Sequence, residues 1–97
     1  YYYIDELNEV SNILSSLKKE NKKARHMPYA YKIDNNVKKC DDKEPSGTAG
    51  LPILNIIEKN DLNNILIVVI RYFGGIKLGT GGLIRAYANC AKETIKR

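Results

Sequence analysis

Apolar positions along the chain follow two periods. Ile65 to Ile70, ILIVVI, is an unbroken hydrophobic run with no helix breaker, and it reads as a strand buried on both faces. Leu7, Val10, Ile13, Leu14 and Leu17 recur at three- and four-residue spacing, which puts them on one face of a helix that Asp5 would cap. Ile53, Leu54 and Ile57 mark a second helix, expected from about Thr48 to Lys59 with Pro52 tolerated near its start. A third helix is expected from Thr80 towards the C-terminus. It would turn Ile84, Tyr87, Ala88, Ala91 and Ile95 inward and Arg85, Asn89, Lys92 and Lys96 outward.

Between these lie shorter signals. Tyr1 to Ile4 reads as the end of a strand and Tyr29 to Ile33 as a short one. Asp34-Asn35-Asn36 has turn chemistry, and Val37 to Cys40 is the return strand. The order strand, helix, two strands, helix, strand, helix predicts an α/β (α+β) two-layer sandwich, a small mixed sheet with helices on one face.

Composition narrows the class. A chain of 97 residues with 43% hydrophobic and 28% charged positions builds one modest core and is not a disordered tail. No apolar run approaches the ~20 residues of a membrane span, and no signal-peptide pattern is present. Cys40 and Cys90 show no C-x-x-C spacing, so reduced thiols in a cytoplasmic setting are expected. The start at Tyr1 and the end at Arg97, inside a helical pattern, suggest one domain cut from a longer protein. Net charge of +5 makes an anionic partner plausible. Lys18, Lys19, Lys22 and Lys23 gather near the end of the first helix, where its dipole accounts for them.

Chemistry is concentrated in the glycine-rich connection after the apolar run, with Gly74, Gly75, Gly79, Gly81 and Gly82. It is not a P-loop, because Thr80 stands where the lysine belongs, nor a dinucleotide fingerprint, because Ile84 replaces the third glycine. It is either a tight corner or an anion site. Lys77 and Arg85 flank the helix start, where a cation is disfavoured by ~0.3–1 kcal/mol. An anion between them and the amides of Gly81 and Gly82 would explain that placement. It could be an external phosphate or a carboxylate from the Asp41–Glu44 loop. Arg71 beside Tyr72 and Phe73 could clamp a phosphate and stack on a base, or Tyr72 and Phe73 could cap the core while Arg71 pairs with Asp41 or Asp42.

The facing loop supplies Asp41, Asp42, Glu44, Ser46 and Thr48, with His26 upstream. Oxygen ligands of this kind suit magnesium or calcium, yet the spacing matches no established metal loop. Ser46 lacks the G-x-S-x-G setting, and a single histidine is more often structural than a base. No catalytic constellation, metal site or cofactor motif is expected.

Three strings go further: His26 with Tyr29-Ala-Tyr31; Asp41-Asp-Lys-Glu-Pro-Ser-Gly-Thr-Ala-Gly50 with Pro52; and Arg71-Tyr-Phe-Gly-Gly-Ile-Lys-Leu-Gly-Thr-Gly-Gly82 with Arg85-Ala-Tyr87. Together they closely resemble the N-terminal domain of the Impact/YigZ family, in its bacterial form. The resemblance implies a small α/β fold similar to the second domain of ribosomal protein S-five. It also implies a non-enzymatic binding domain linked to translation through RNA or a ribosome-associated factor. Eukaryotic members restrain the kinase of initiation factor two by competing for its activator, so a protein-interaction module in translational control is the second implication. A hydrolase or metal-dependent enzyme using Asp41, Asp42, Glu44 and His26 is a third reading. The chain departs from the family at Lys43, usually glycine, at Met27, often asparagine, and at Leu51, commonly lysine. The expected binding lip is Arg71, Tyr72, Lys77, Thr80, Gly81, Gly82 and Arg85, facing His26 and the Asp41–Thr48 loop.

Overall fold

The computed structural model describes residues 1–72 and 79–96. In chain order they form β1 (Tyr2–Tyr3), α1 (Leu7–Glu20), β2 (Tyr29–Ile33), β3 (Asn36–Cys40), α2 (Gly50–Lys59), β4 (Ile65–Val68) and α3 (Gly79–Ile95). The expected α/β class and element order are observed. The strands make one sheet in the order β1-β4-β2-β3, and each pairing is antiparallel rather than mixed. The reason lies in the connections. Asp34 and Asn35 carry positive φ (47° and 72°), as a two-residue hairpin turn between β2 and β3 requires. The crossover through α2 then lays β4 parallel to β3, but β2 sits between them.

Both faces of β4 are covered. Ile65, Ile67 and Val69 join Ala30 beneath Ile53 and Ile57 of α2 and Leu83, Tyr87 and Ala91 of α3. Leu66 faces the other way, into a second cluster with Ile4, Val10 and Ile33, closed by half-buried Ile13, Leu14, Tyr29 and Tyr31. So α2 and α3 share one face, as expected, while α1 lies on the opposite one. A strand apolar at every position requires this, since one helical layer would leave half of it wet.

Three local expectations change. The start of α1 is not capped by Asp5; the Glu9 carboxylate reaches back to accept the N–H groups of Asp5 (2.7 Å) and Glu6 (2.8 Å), the reciprocal half of a capping box. In α3 the buried stripe is Leu83, Tyr87 and Ala91, and Ile84 is 41% exposed, because it sits roughly 100° around the helix from Leu83. The second helix starts at Gly50, not Thr48. No helix among the described residues is long and apolar enough to cross a membrane, and Cys40 and Cys90 are free thiols.

Gly50 is where α2 meets the end of β3. A Cβ added there would lie 2.8 Å from the Cys40 backbone nitrogen, whereas one at Gly81 would come no closer than 3.5 Å to the flexible Arg85 guanidinium. Gly50→Ala should therefore destabilise the fold by roughly 1–3 kcal/mol. Gly81→Ala should be neutral or stabilising by up to about 1 kcal/mol. Urea unfolding of the two variants checks this; equal effects would contradict the close approach.

Candidate functional site

After β3 the chain turns sharply through Asp42 (φ 46°) and Lys43 (φ 71°). Lys43 thus occupies the left-handed region that favours glycine, at a cost of about 1–2 kcal/mol. The turn lets Asp41 reach across its own loop. Its carboxylate accepts N–H groups from Gly47 (3.0 Å), Ala49 (3.1 Å) and Gly50 (2.8 Å), so the open amides of α2 are capped from upstream. Burial disfavours the charged form, but these three donors outweigh it and hold the Asp41 carboxyl below its ordinary value, with Lys39 adding a little. Thr48, buried, donates its hydroxyl to the Pro45 carbonyl at 2.6 Å, which closes the loop.

Asp42 ties the loop to the segment before β2. Its side chain accepts the Met27 N–H at 2.6 Å, and its carbonyl oxygen lies 2.8 Å from His26 Nδ1. A carbonyl can only accept, so the proton sits on Nδ1. His26 in turn pairs with the end of the apolar run: Arg71 N–H donates to the His26 carbonyl at 2.9 Å, and the His26 N–H returns to Arg71 at 3.3 Å.

Glu44 stands where these segments converge. It is 8% exposed. One carboxylate oxygen accepts the Arg71 guanidinium at 2.5 Å and the Tyr87 hydroxyl of α3; the other is 3.6 Å from His26 Nε2. Burial first, then the hydrogen bond and charge of Glu44, push the Tyr87 phenol above its ordinary value, opposed by Arg71. The hydrogen bond to Glu44 raises Arg71 further, against the burial that would lower it. Arg71 is thereby paired with Glu44, not with Asp41 or Asp42. The loop's three acidic side chains are all engaged away from the start of α3.

The remaining expected residues fall on the outer surface. Thr80, Gly81 and Arg85 are exposed and Gly82 is half-buried; among the described residues Arg85 makes no ion pair. Ser46 is exposed on the loop. Tyr72 is 42% exposed, and its hydroxyl donates to the Asn21 side-chain oxygen. Lys77, like Phe73, Gly74 and Gly75, lies outside the described residues. Between the end of the apolar run and α3 opens a pocket of about 280 Å³, walled by Ile70, Arg71, Tyr72, Leu83, Ala86 and Tyr87. Its lining is apolar apart from the guanidinium and the phenols. Among the described residues no three His, Cys, Asp or Glu side chains gather as metal ligands.

The structure therefore joins His26, Glu44 and Arg71 with a residue the sequence had placed only in the core, Tyr87. Its signal was present: a tyrosine on an inward helix face needs a partner for its hydroxyl, and the acidic loop was the available acceptor. Asn21, the anchor of Tyr72, had no such signal.

Residues 1–95 match the family described as the Impact N-terminal domain. The chain is 48% identical over 88 residues to "IMPACT family member YvyE" of Bacillus subtilis, covering 88% of this chain. It is 47% identical over 74 residues to "IMPACT family member in pol 5'region" of Thermus thermophilus, covering 76%. It spans 41% of the length of each. A crystal structure described as that of a hypothetical protein superposes with a TM-score of 0.91 at 33% identity, over 98% of this chain and 48% of the other.

Folding draws the Asp41 pKa below the 3.8 of an unperturbed carboxyl. The stability it adds is complete above that value and is lost as pH falls through the folded pKa. Asp41→Asn should lower stability at neutral pH by about 1–2 kcal/mol, as for a lost helix cap, and flatten the acid limb of the stability curve. Parallel acid limbs for parent and variant would show that Asp41 does not carry this linkage.

Proposed function

The chain belongs to the Impact family through its N-terminal domain, and from that premise we propose that it is a binding rather than a catalytic domain. It serves translation or its control by engaging RNA or a ribosome-associated partner at the start of α3, which carries a cytoplasmic location with it. One observation supports this reading above the others. The loop carboxylates that could have neutralised the front of α3 are committed inward, to the amides of α2, to Met27 and to Arg71 and Tyr87. Thr80 and Gly81 open the helix in solvent, and Arg85 follows about one turn later with no ion pair among the described residues. Helix-opening amides and an exposed guanidinium together favour a phosphate or carboxylate of a partner.

The same commitments weigh against the hydrolytic reading. Asp41, Asp42 and Glu44 each serve as acceptors for donors of the fold, and they do not converge on a common point at which a reacting group or ion could sit.

Binding to purified ribosomes and to structured RNA, measured across a salt series, tests the proposal. Affinity should fall steeply with salt, and Arg85→Ala should remove roughly one contact's worth of slope, about 0.7–0.9 in log affinity per log salt. Affinity indifferent to both salt and Arg85→Ala would contradict an RNA or ribosomal partner. A stable, nuclease-resistant protein complex formed at the same surface would instead make the domain a protein-interaction module.

A further inference from the structure

Residues 18–25, KKENKKAR, hold five cations and one carboxylate, Glu20. The dipole of α1 explains Lys18 and Lys19, which lie in its last turn. The expectation that it also accounts for Lys22 and Lys23 does not hold, because the helix ends at Glu20 and these two, with Arg25, follow the capping residue Asn21. All five cations are exposed, and none makes an ion pair among the described residues. Chance clustering of lysines on a basic surface would account for the charge alone.

Two fixed contacts argue for more than charge. The Arg25 N–H donates to the Arg71 carbonyl at 2.8 Å, which docks this basic turn against the end of the apolar run. Asn21 is itself pinned, its backbone and side-chain N–H groups both donating to the Leu17 carbonyl at 2.9 Å, and it accepts the Tyr72 hydroxyl. The consequence is a tyrosine ring held in place yet 42% exposed, beside a groove of about 430 Å³ that it lines with Lys19, Glu20, Lys22 and Lys23. Residues about fifty positions apart in sequence are thus brought together as cations beside an anchored aromatic face.

We propose that this groove binds single-stranded nucleic acid, the lysines meeting backbone phosphates and one base stacking on Tyr72. An acidic peptide would use the cations but has no use for the ring; a base has a π-face that any such ring accepts. Glu20 repels phosphate and confines the contacts to the Lys22–Lys23 side. Tyr72 also walls the pocket beside α3, so a strand seated on it can continue in that direction. The surface is nevertheless separate from Arg85 and does not rest on the α3 reading.

The test is fluorescence anisotropy of labelled oligo(U) and oligo(dT) of about ten nucleotides with the intact chain. Affinity for either probe should fall with salt at a slope of about −1.4, from two phosphate contacts at about −0.7 each. Lys22→Glu with Lys23→Glu should weaken binding at least about tenfold, while Lys59→Glu with Lys92→Glu, of equal charge change, should cost less than about threefold. Tyr72→Ala should weaken it roughly 5- to 150-fold, and Tyr72→Phe should retain most of the affinity. The inference is overturned if neither probe binds, or if the two charge-reversal pairs act alike. It is also overturned if Tyr72→Ala is silent while polyglutamate competes as well as the oligonucleotides. Loss caused by Arg85→Ala alone would support the α3 site and remove this one; loss confined to the groove variants would do the reverse.

Discussion

A carboxylate taken out of water costs several kcal/mol unless donors meet it, and Glu44 is met by donors from two other parts of the chain. Arg71 lies 27 residues away in sequence and Tyr87 43 residues away. The acidic loop, the end of the central strand and the last helix therefore come together around one charge. Neither contact makes sense singly: Arg71 without Glu44 is a half-buried cation with its carboxylate gone, and Tyr87 without it is a buried hydroxyl in search of an acceptor. This mutual dependence ties the loop, which has no regular secondary structure, to the strand end and the helix beside it.

The inward commitment of Glu44 has an outward consequence. It fixes Arg71 and so the position from which Tyr72 continues, and it fixes Tyr87 and so the tilt at which α3 presents Thr80, Gly81 and Arg85. The polar chemistry of this domain is therefore divided between layers. The three carboxylates of the acidic loop are committed to donors of the fold, while Thr80, Gly81 and Arg85 lie exposed at the surface. The proposed binding of a polyanion would draw on that exposed surface, since such affinity comes from many screened contacts and not from one buried pair.

Much of this was legible in the residues. Period-four and unbroken apolar runs gave the helices and the buried strand, because burial is what those patterns encode. The side of the sheet taken by α1 was not anticipated, since helices were expected on one face only, although a strand apolar at every position cannot leave one face open. The opening of α1 and the facing of Ile84 were not legible, because both turn on a single residue's position around a helix. At the site, the pairing of Arg71 with Glu44 in place of Asp41 or Asp42 could not be read from spacing. It depends on the left-handed turn at Asp42 and Lys43, and Lys43 is a residue whose type gives no hint of that conformation. The partnership of Tyr72 with Asn21 was hidden for a different reason: only the pairing of His26 with Arg71 brings those segments side by side.

The most direct measurement is a double-mutant cycle between Glu44 and Tyr87, using Glu44→Gln, Tyr87→Phe and the combined variant in equilibrium unfolding. A shared carboxylate predicts strong coupling, with the double variant less destabilised than the sum of the singles by about 1–3 kcal/mol. Additivity within about 0.5 kcal/mol would mean that the two side chains are neighbours without being partners, and the account of a single charge joining loop, strand and helix would fail.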